Sequence, residues 1–135
     1  MSKNLFLDIV TPVKKIFSGE VQSFSAPGIV GSFQTLFNHA PLLTQISTGE
    51  IKLIDESGKI TFYATSGGFV EVNKNKIILL ADSAECSNEI NIQRALQSKQ
   101  RAEERIKNKN SELNLIRAQT SLTRALNRLK VSTRK

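Results

Sequence analysis

Six arginines repeat with one spacing on two successive stretches of the chain. Arg94, Arg101 and Arg105 are separated by seven and four residues, and so are Arg117, Arg124 and Arg128. At 100° per residue each trio falls within about 40° of one line along a helix. A guanidinium is a planar fork of donors that suits bidentate recognition of phosphate or carboxylate. Two such stripes can hold an oxyanion or meet an acidic protein surface; the plainer reading is a solvated basic face. Other chemistry is thin. The chain has one histidine, His39, and one cysteine, Cys86. No Cys/His cluster has metal-ligand spacing, so no metal site is expected. Neither a G-x-x-x-x-G-K-[ST] phosphate loop nor a G-x-S-x-G elbow is present. Residue types for acid–base or nucleophilic work are missing, so no catalytic residue is assigned and no enzyme activity is expected. Gly67-Gly68 reads either as a phosphate cradle or as a strand start where two backbones approach closely. His39, beside Ala40-Pro41, reads either as a turn residue bonded to the backbone or as a contact for a partner. Cys86 reads as a small residue at a junction, and a single cysteine excludes an internal disulfide framework.

The elements that must carry these arginines differ from the rest of the chain. Residues 88–135 hold twelve Lys+Arg against four Glu, a net +8. Residues 1–87 hold seven bases against eight acids, a net −1. A step this sharp divides the chain into a neutral scaffold over 1–87 and a basic module over 88–135 that meets something acidic. The scaffold reads as short strands. Leu5, Leu7 and Ile9 alternate with Phe6, Asp8 and Val10, and Thr11-Pro12 ends the run. Ile51–Ile54 and Ile60–Ala64 flank Asp55–Lys59, a hairpin with Gly58 where the turn needs positive φ. Phe69–Val72 and Ile77–Leu80 flank Asn73–Lys76, a second hairpin. About ten residues per strand, with no helix-length segment between, argues for a β-sandwich or barrel.

From Ile90 the period changes. Asn91 is an N-cap candidate. Ile92, Ala95, Leu96, Ala102 and Ile106 share one helical face. Asn108–Ser111 is a break, and Ser111 can cap a second helix. There Leu115, Ala118, Leu122, Ala125 and Leu129 follow a 3-4 spacing. Two helices of about 18 residues joined by a tight turn make an antiparallel hairpin. It has little apolar surface to bury alone, so it needs docking for stability. No window approaches the roughly 18 apolar residues of a membrane span, and the N-terminal apolar run is too short for a signal peptide. A soluble protein that reaches a membrane only through a partner is expected. Nucleic acid is the rival acidic partner, as for a basic adaptor protein. Against it, the helical module has no aromatic residue to stack a base and no helix-turn-helix glycine.

Leu7–Pro12, Ala26-Pro27-Gly28, Gly31-Ser32-Phe33, Asn38–Leu43, Ser66–Val72 and Ala81–Glu85 occur in an order and spacing that resemble the ε subunit of bacterial-type F-type ATP synthases. Arg94-Ala95, Arg101-Ala102-Glu103 and Arg124–Leu129 continue the resemblance, which runs over essentially the whole chain. It implies a flattened β-sandwich of about ten strands over 1–87 and a C-terminal antiparallel two-helix hairpin over 88–135. It also implies a non-catalytic subunit of the central rotor stalk of a proton- or sodium-translocating synthase. The sandwich would bind the γ subunit and sit on the c-ring, with Gly28, Ile29, Val30, Gly31 and His39 as contacts. The hairpin would fold on the sandwich or extend along γ toward the α/β catalytic subunits and hinder ATP hydrolysis. Some members of that family bind ATP in the folded hairpin. Their motif, Ile/Leu-Asp-x-x-Arg-Ala, reads here Ile90-Asn91-Ile92-Gln93-Arg94-Ala95, with asparagine in place of the aspartate. On that resemblance Glu85, Asn91, Arg94, Arg101, Arg117, Arg124 and Arg128 are the ATP-binding residues. The nucleotide would be regulatory, and no cofactor would be required. The implied location is peripheral, on the cytoplasmic face of the bacterial inner membrane.

Overall fold

The computed structural model describes residues 4–108 and 112–134. Strand β1 (Leu5–Val10) follows the alternation of its residues: Leu5, Leu7 and Ile9 are fully buried, while Phe6 faces outward. A turn at Thr11–Lys14 reverses the chain, with the Lys14 amide donating to the Thr11 hydroxyl at 3.2 Å. Strand β2 (Lys15–Gly28) then runs for 14 residues. Its first half pairs antiparallel with β1, from Lys15 to Val21. Its second half pairs with β3 (Gly31–Thr35) on one side and β5 (Gly49–Asp55) on the other. A register shift between Val21 and Ser23 marks where the strand passes from one layer to the next.

One layer is the first half of β2, then β1, β8 (Lys76–Ala81), β7 (Gly68–Asn73) and β4 (Leu42–Ile46). β1 and β8 run parallel, and the other pairs run antiparallel. The second layer is β3, the second half of β2, β5, β6 (Ile60–Thr65) and β9 (Ala84–Cys86). Between the layers lies a core that includes Phe24, Leu7, Ile9, Ile46, Ile51, Leu53, Val70, Ile77 and Leu79, all at most 1% exposed. The described residues hold nine strands. The resemblance implied about ten, and β2, long enough to serve both layers, does the work of two.

Turn chemistry fixes the register. The amides of Ser57 and Lys59 and the Ser57 hydroxyl all donate to Asp55 Oδ1. The Ser57 hydroxyl, followed by the Lys59 amide, holds the exposed Asp55 carboxyl below its usual value. Gly58 takes the positive φ that this turn requires, +90°. In the second hairpin Lys74 and Asn75 both have positive φ, and the Asn75 side chain accepts from the Asn38 amide at 2.6 Å. The Gly67-Gly68 pair is a strand start. A Cβ on Gly68, which has φ +146°, would run into the Leu80 carbonyl oxygen of β8. Only glycine allows that approach.

A 3-10 turn at Ser87–Glu89 links the sandwich to α1 (Ile92–Lys107). Asn91 caps α1, its Oδ1 accepting from the Arg94 amide at 3.0 Å. Helix α2 spans Glu112–Ser132. The helices are 16 and 21 residues long, against the 18 each expected. The expected Ser111 cap lies outside the described residues. The seam between them is alanine: Ala95, Ala102, Ala118 and Ala125 are each 1% exposed. Ile92 and Leu96, expected on that face, are 50% and 45% exposed. Alanines let the helix axes close together, and these two residues sit about 60° and 100° around α1 from Ala95, off the narrow seam.

Candidate functional site

The six arginines of the two stripes come together on one side of the hairpin. Arg101 and Arg105 of α1 and Arg117 of α2 line a cavity of about 520 Å³ near the helix–helix turn, with Glu104, Asn108 and Asn114. Arg124 and Arg128 line a second, of about 320 Å³, where α2 meets the sandwich at Thr65, Ser66, Ser83 and Glu85. Arg94 and Arg128 meet Glu85, Ile90 and Asn91 around a third, of about 60 Å³. The face therefore runs from the sandwich to the tip of the hairpin. Its geometry follows from spacing alone. In antiparallel helices that share a seam, residues about 100° back from the seam on each helix project to the same side.

The sandwich end of this face is already paired. Arg128 Nε lies 2.6 Å from Glu85 Oε1. The Asn91 side chain is committed to the helix cap. Arg101, Arg105 and Arg117 make no ion pair among the described residues. The structure thus gathers Glu85, Asn91, Arg94, Arg124 and Arg128 at the base and places Arg101 and Arg117 farther out. Arg105 belongs with these two. It was absent from the residues carried over by resemblance, although its place in the first stripe marks it.

The other residues expected to meet partners are not brought together. Gly28 and Gly31 pair across the β2–β3 turn, whose Ile29 and Val30 are 56% and 94% exposed. A Cβ on Gly28 would lie 2.6 Å from the Gly31 carbonyl, so the turn closes only on glycine. Gly28 also pairs with Ile46, at the end of β4. His39 precedes the opposite end of β4, where Leu42 pairs with Val72. Its Nδ1 lies 2.7 Å from the Ala40 carbonyl oxygen, the turn geometry of the plainer reading.

A second surface was missed by sequence reasoning. On the outward side of the first layer, Phe69 pairs with Leu80, and Leu80 with Val10. Leu43, Phe69 and Leu80 are 72%, 54% and 56% exposed. Leu43, Phe69, Ile78 and Leu80 line a shallow depression of about 200 Å³, with Glu71 in register between Leu43 and Ile78. Clustered exposed apolar side chains of this kind mark a contact surface. Asp8 stands beside Ile78 in register on the same side. Its Oδ1 is buried without a hydrogen-bond donor, and Lys15 is its ion-pair partner at 3.8 Å. The available signal was the run Ile77–Leu80, apolar at both alternating positions where a half-solvated strand would be polar at one.

Among the described residues no group of three His, Cys, Asp or Glu side chains could hold a metal ion. No described helix is long and apolar enough to cross a membrane.

Residues 4–87 match the family described as "ATP synthase, Delta/Epsilon chain, beta-sandwich domain", and residues 88–133 match its "long alpha-helix domain". The chain is 43% identical over 132 residues to the ATP synthase epsilon chain of Desulforamulus reducens, covering 98% of this chain and 99% of that one. It is 41% identical over 131 residues to the ATP synthase epsilon chain of Nitratidesulfovibrio vulgaris, covering 97% of each. Among solved structures, a chain of the Euglena gracilis mitochondrial ATP synthase shares the fold with a TM-score of 0.81 at 20% identity, over 91% of this chain and 78% of that one. The central stalk and c-ring structure from Tetrahymena thermophila contains a chain matching with a TM-score of 0.63 at 17% identity, over 96% of each. The alternative of a nucleic-acid adaptor finds no support in these likenesses. The chain belongs to the ATP synthase epsilon chain family.

Proposed function

We propose that this chain is a non-catalytic rotor subunit that joins γ to the c-ring and restrains ATP hydrolysis through its C-terminal hairpin. The observation that carries the coupling role is the outward apolar side of the first layer, with Leu43, Phe69 and Leu80 exposed on a rigid sheet. Exposed apolar side chains clustered on one face of a sheet suit a protein interface. We assign that side to γ and the Ile29-Val30 turn to the c-ring. Residues 1–87 are then the docking domain and 88–135 the regulatory one. The setting is peripheral, on the cytoplasmic face of a bacterial inner membrane.

Regulation rests on the arginine face. Its residues fit the phosphates of ATP, since Arg94, Arg124 and Arg128 converge near the base of the hairpin and Arg101, Arg105 and Arg117 near its tip. They fit acidic segments of the α/β subunits by the same chemistry. When bound, ATP supplies only negative charge that holds the two helices and the sandwich together.

Two variants test the reading in reconstituted synthase. Phe69→Asp is expected to weaken association with γ at least about tenfold, because it desolvates a charge at the centre of the patch. Truncation after Ser87 is expected to leave assembly intact and raise ATPase activity. Tight γ binding by Phe69→Asp would remove the assigned docking side, and unchanged hydrolysis in the truncated complex would remove the inhibitory role. Isothermal titration of the isolated chain tests the nucleotide. Absence of heat at millimolar ATP would leave the arginines to protein contacts alone.

A further inference from the structure

Helix α2 carries two seams on nearly opposite sides. Ala118, Leu122, Ala125 and Leu129 meet α1. Asn127 and Val131, with Arg134 just past the helix end, meet the sandwich on roughly the other side, Asn127 about 180° and Val131 about 140° around from Ala118. The second seam has little apolar content. Its buried cluster is Ala64, Ile90 and Val131, with Phe62 packed against it, separate from the main core. What remains is polar. Asn127 Nδ2 donates to the Gly49 carbonyl at 2.8 Å and lies 3.4 Å from that of Thr65. Arg134 Nε donates to Glu50 Oε2 at 2.9 Å, and its guanidinium stands 5.5 Å from the centre of the Phe62 ring. Arg128 is paired with Glu85.

We propose that Glu50 and Glu85 form a two-point electrostatic latch that holds the hairpin on the sandwich and masks Arg134 and Arg128. The two carboxylates sit on different strands, β5 and β9, and pair with Arg128 on α2 and with Arg134 two residues past its end. They occupy in cis the groups that an acidic protein surface would otherwise engage. Release of the hairpin from the sandwich uncovers both arginines at once. Masking and docking are therefore one event. The proposal rests on the reading of the hairpin as a movable regulatory element and adds what sets its equilibrium. Both pairs are partly exposed, with Glu50 and Arg134 at 22% and 44% and Glu85 and Arg128 at 35% and 41%. Pairs so placed are screened by salt, so the latch opens as ionic strength rises. Arginine is required at 134 because its flat cation serves the carboxylate and the Phe62 ring together, which a lysine ammonium does less well.

The test is single-molecule energy transfer on the isolated full chain, with dyes at Lys74→Cys and Gln119→Cys in a Cys86→Ser background. Glu50→Gln and Glu85→Gln are each expected to raise the released fraction about threefold, and the double variant about tenfold. Release of the parent should grow between 0.05 and 0.5 M salt, and that dependence should largely vanish in the double variant. A double variant with the parent's distance distribution and salt response overturns the latch. The readout needs no synthase. If the truncated complex hydrolyses ATP at the parent's rate while Glu50→Gln/Glu85→Gln still releases the hairpin, the inhibitory reading falls and the latch stands.

Discussion

The sandwich and the hairpin are held by different kinds of burial. Between its layers the sandwich buries Phe24, Leu5, Leu7, Ile9, Ile51, Leu53, Ile77 and Leu79 completely or nearly so. Each such side chain contributes about 1.5–3 kcal/mol of transfer free energy. Among the described residues the helices bury four alanines between them, and Ile90 and Val131 are buried against the sandwich. A buried methyl contributes only about 0.8 kcal/mol. One chain thus contains a unit held by large apolar side chains and a unit with little apolar burial. The proposed rotor role uses both, because a docking surface must stay rigid while a regulatory element changes place. Local stability graded in this way is what lets an element move without unfolding its neighbour.

The comparison breaks most readily at the sandwich core. Phe24→Ala empties space at a fully buried ring that packs edge-on against Phe33, with centroids 6.5 Å apart. A loss of about 3–5 kcal/mol is expected in urea unfolding. If the loss is below about 1 kcal/mol, the core is not the rigid part and the contrast fails. A smaller effect sharpens the other side. Asn91→Ala removes the side-chain acceptor bonded to the Arg94 amide at the start of α1, at a cost of about 1 kcal/mol. Hydrogen exchange should show faster exchange confined to α1 and α2, with β1, β7 and β8 unchanged. Exchange that rises equally in sandwich and hairpin would make them one cooperative unit.

Much of this contrast was legible in the residues. The alternation in β1, the turns at Asp55–Lys59 and Asn73–Lys76, the Asn91 cap and the Ala118 and Ala125 positions of the α2 seam are local patterns, and the structure has them where they were read. Strand β2 was not legible. It runs through Ser18-Gly19-Glu20 and Ala26-Pro27-Gly28, whose glycines and proline disfavour a strand interior. Pro27 is tolerated because the strand there pairs near its end, with Ser32 of the short edge strand β3. The arginine stripes were legible because helical spacing fixes which side they share. Their partners were not. Glu85, Glu50 and the carbonyl of Gly49 lie 43, 84 and 78 residues from Arg128, Arg134 and Asn127, and only the folded chain sets such pairs. The apolar side of the first layer escaped notice because alternation predicts a polar exterior, and an interface violates that expectation.

The smallest effect at neutral pH comes from Tyr63, and alkali makes it visible. Tyr63 lies on β6, paired with Ile51 and Cys86, beneath the junction where the sandwich hands over to the hairpin. Burial first, and then the neighbouring Cys86 and Glu89, push its phenol up to about 12. The neutral phenol is favoured in the folded state relative to the ordinary value of about 10. Its contribution to stability is therefore complete below pH 10 and is lost as pH rises through 12. Tyr63→Phe should unfold within about 1 kcal/mol of the parent at pH 7 and decline less steeply between pH 10 and 12. All other groups are common to both chains, so the difference between the two curves isolates the phenol. Parallel curves would mean that Tyr63 ionises as readily in the folded chain as in the unfolded one. The sandwich edge beneath the hairpin would then be open to water, and the rigid side of the comparison would end at β5 rather than at β9.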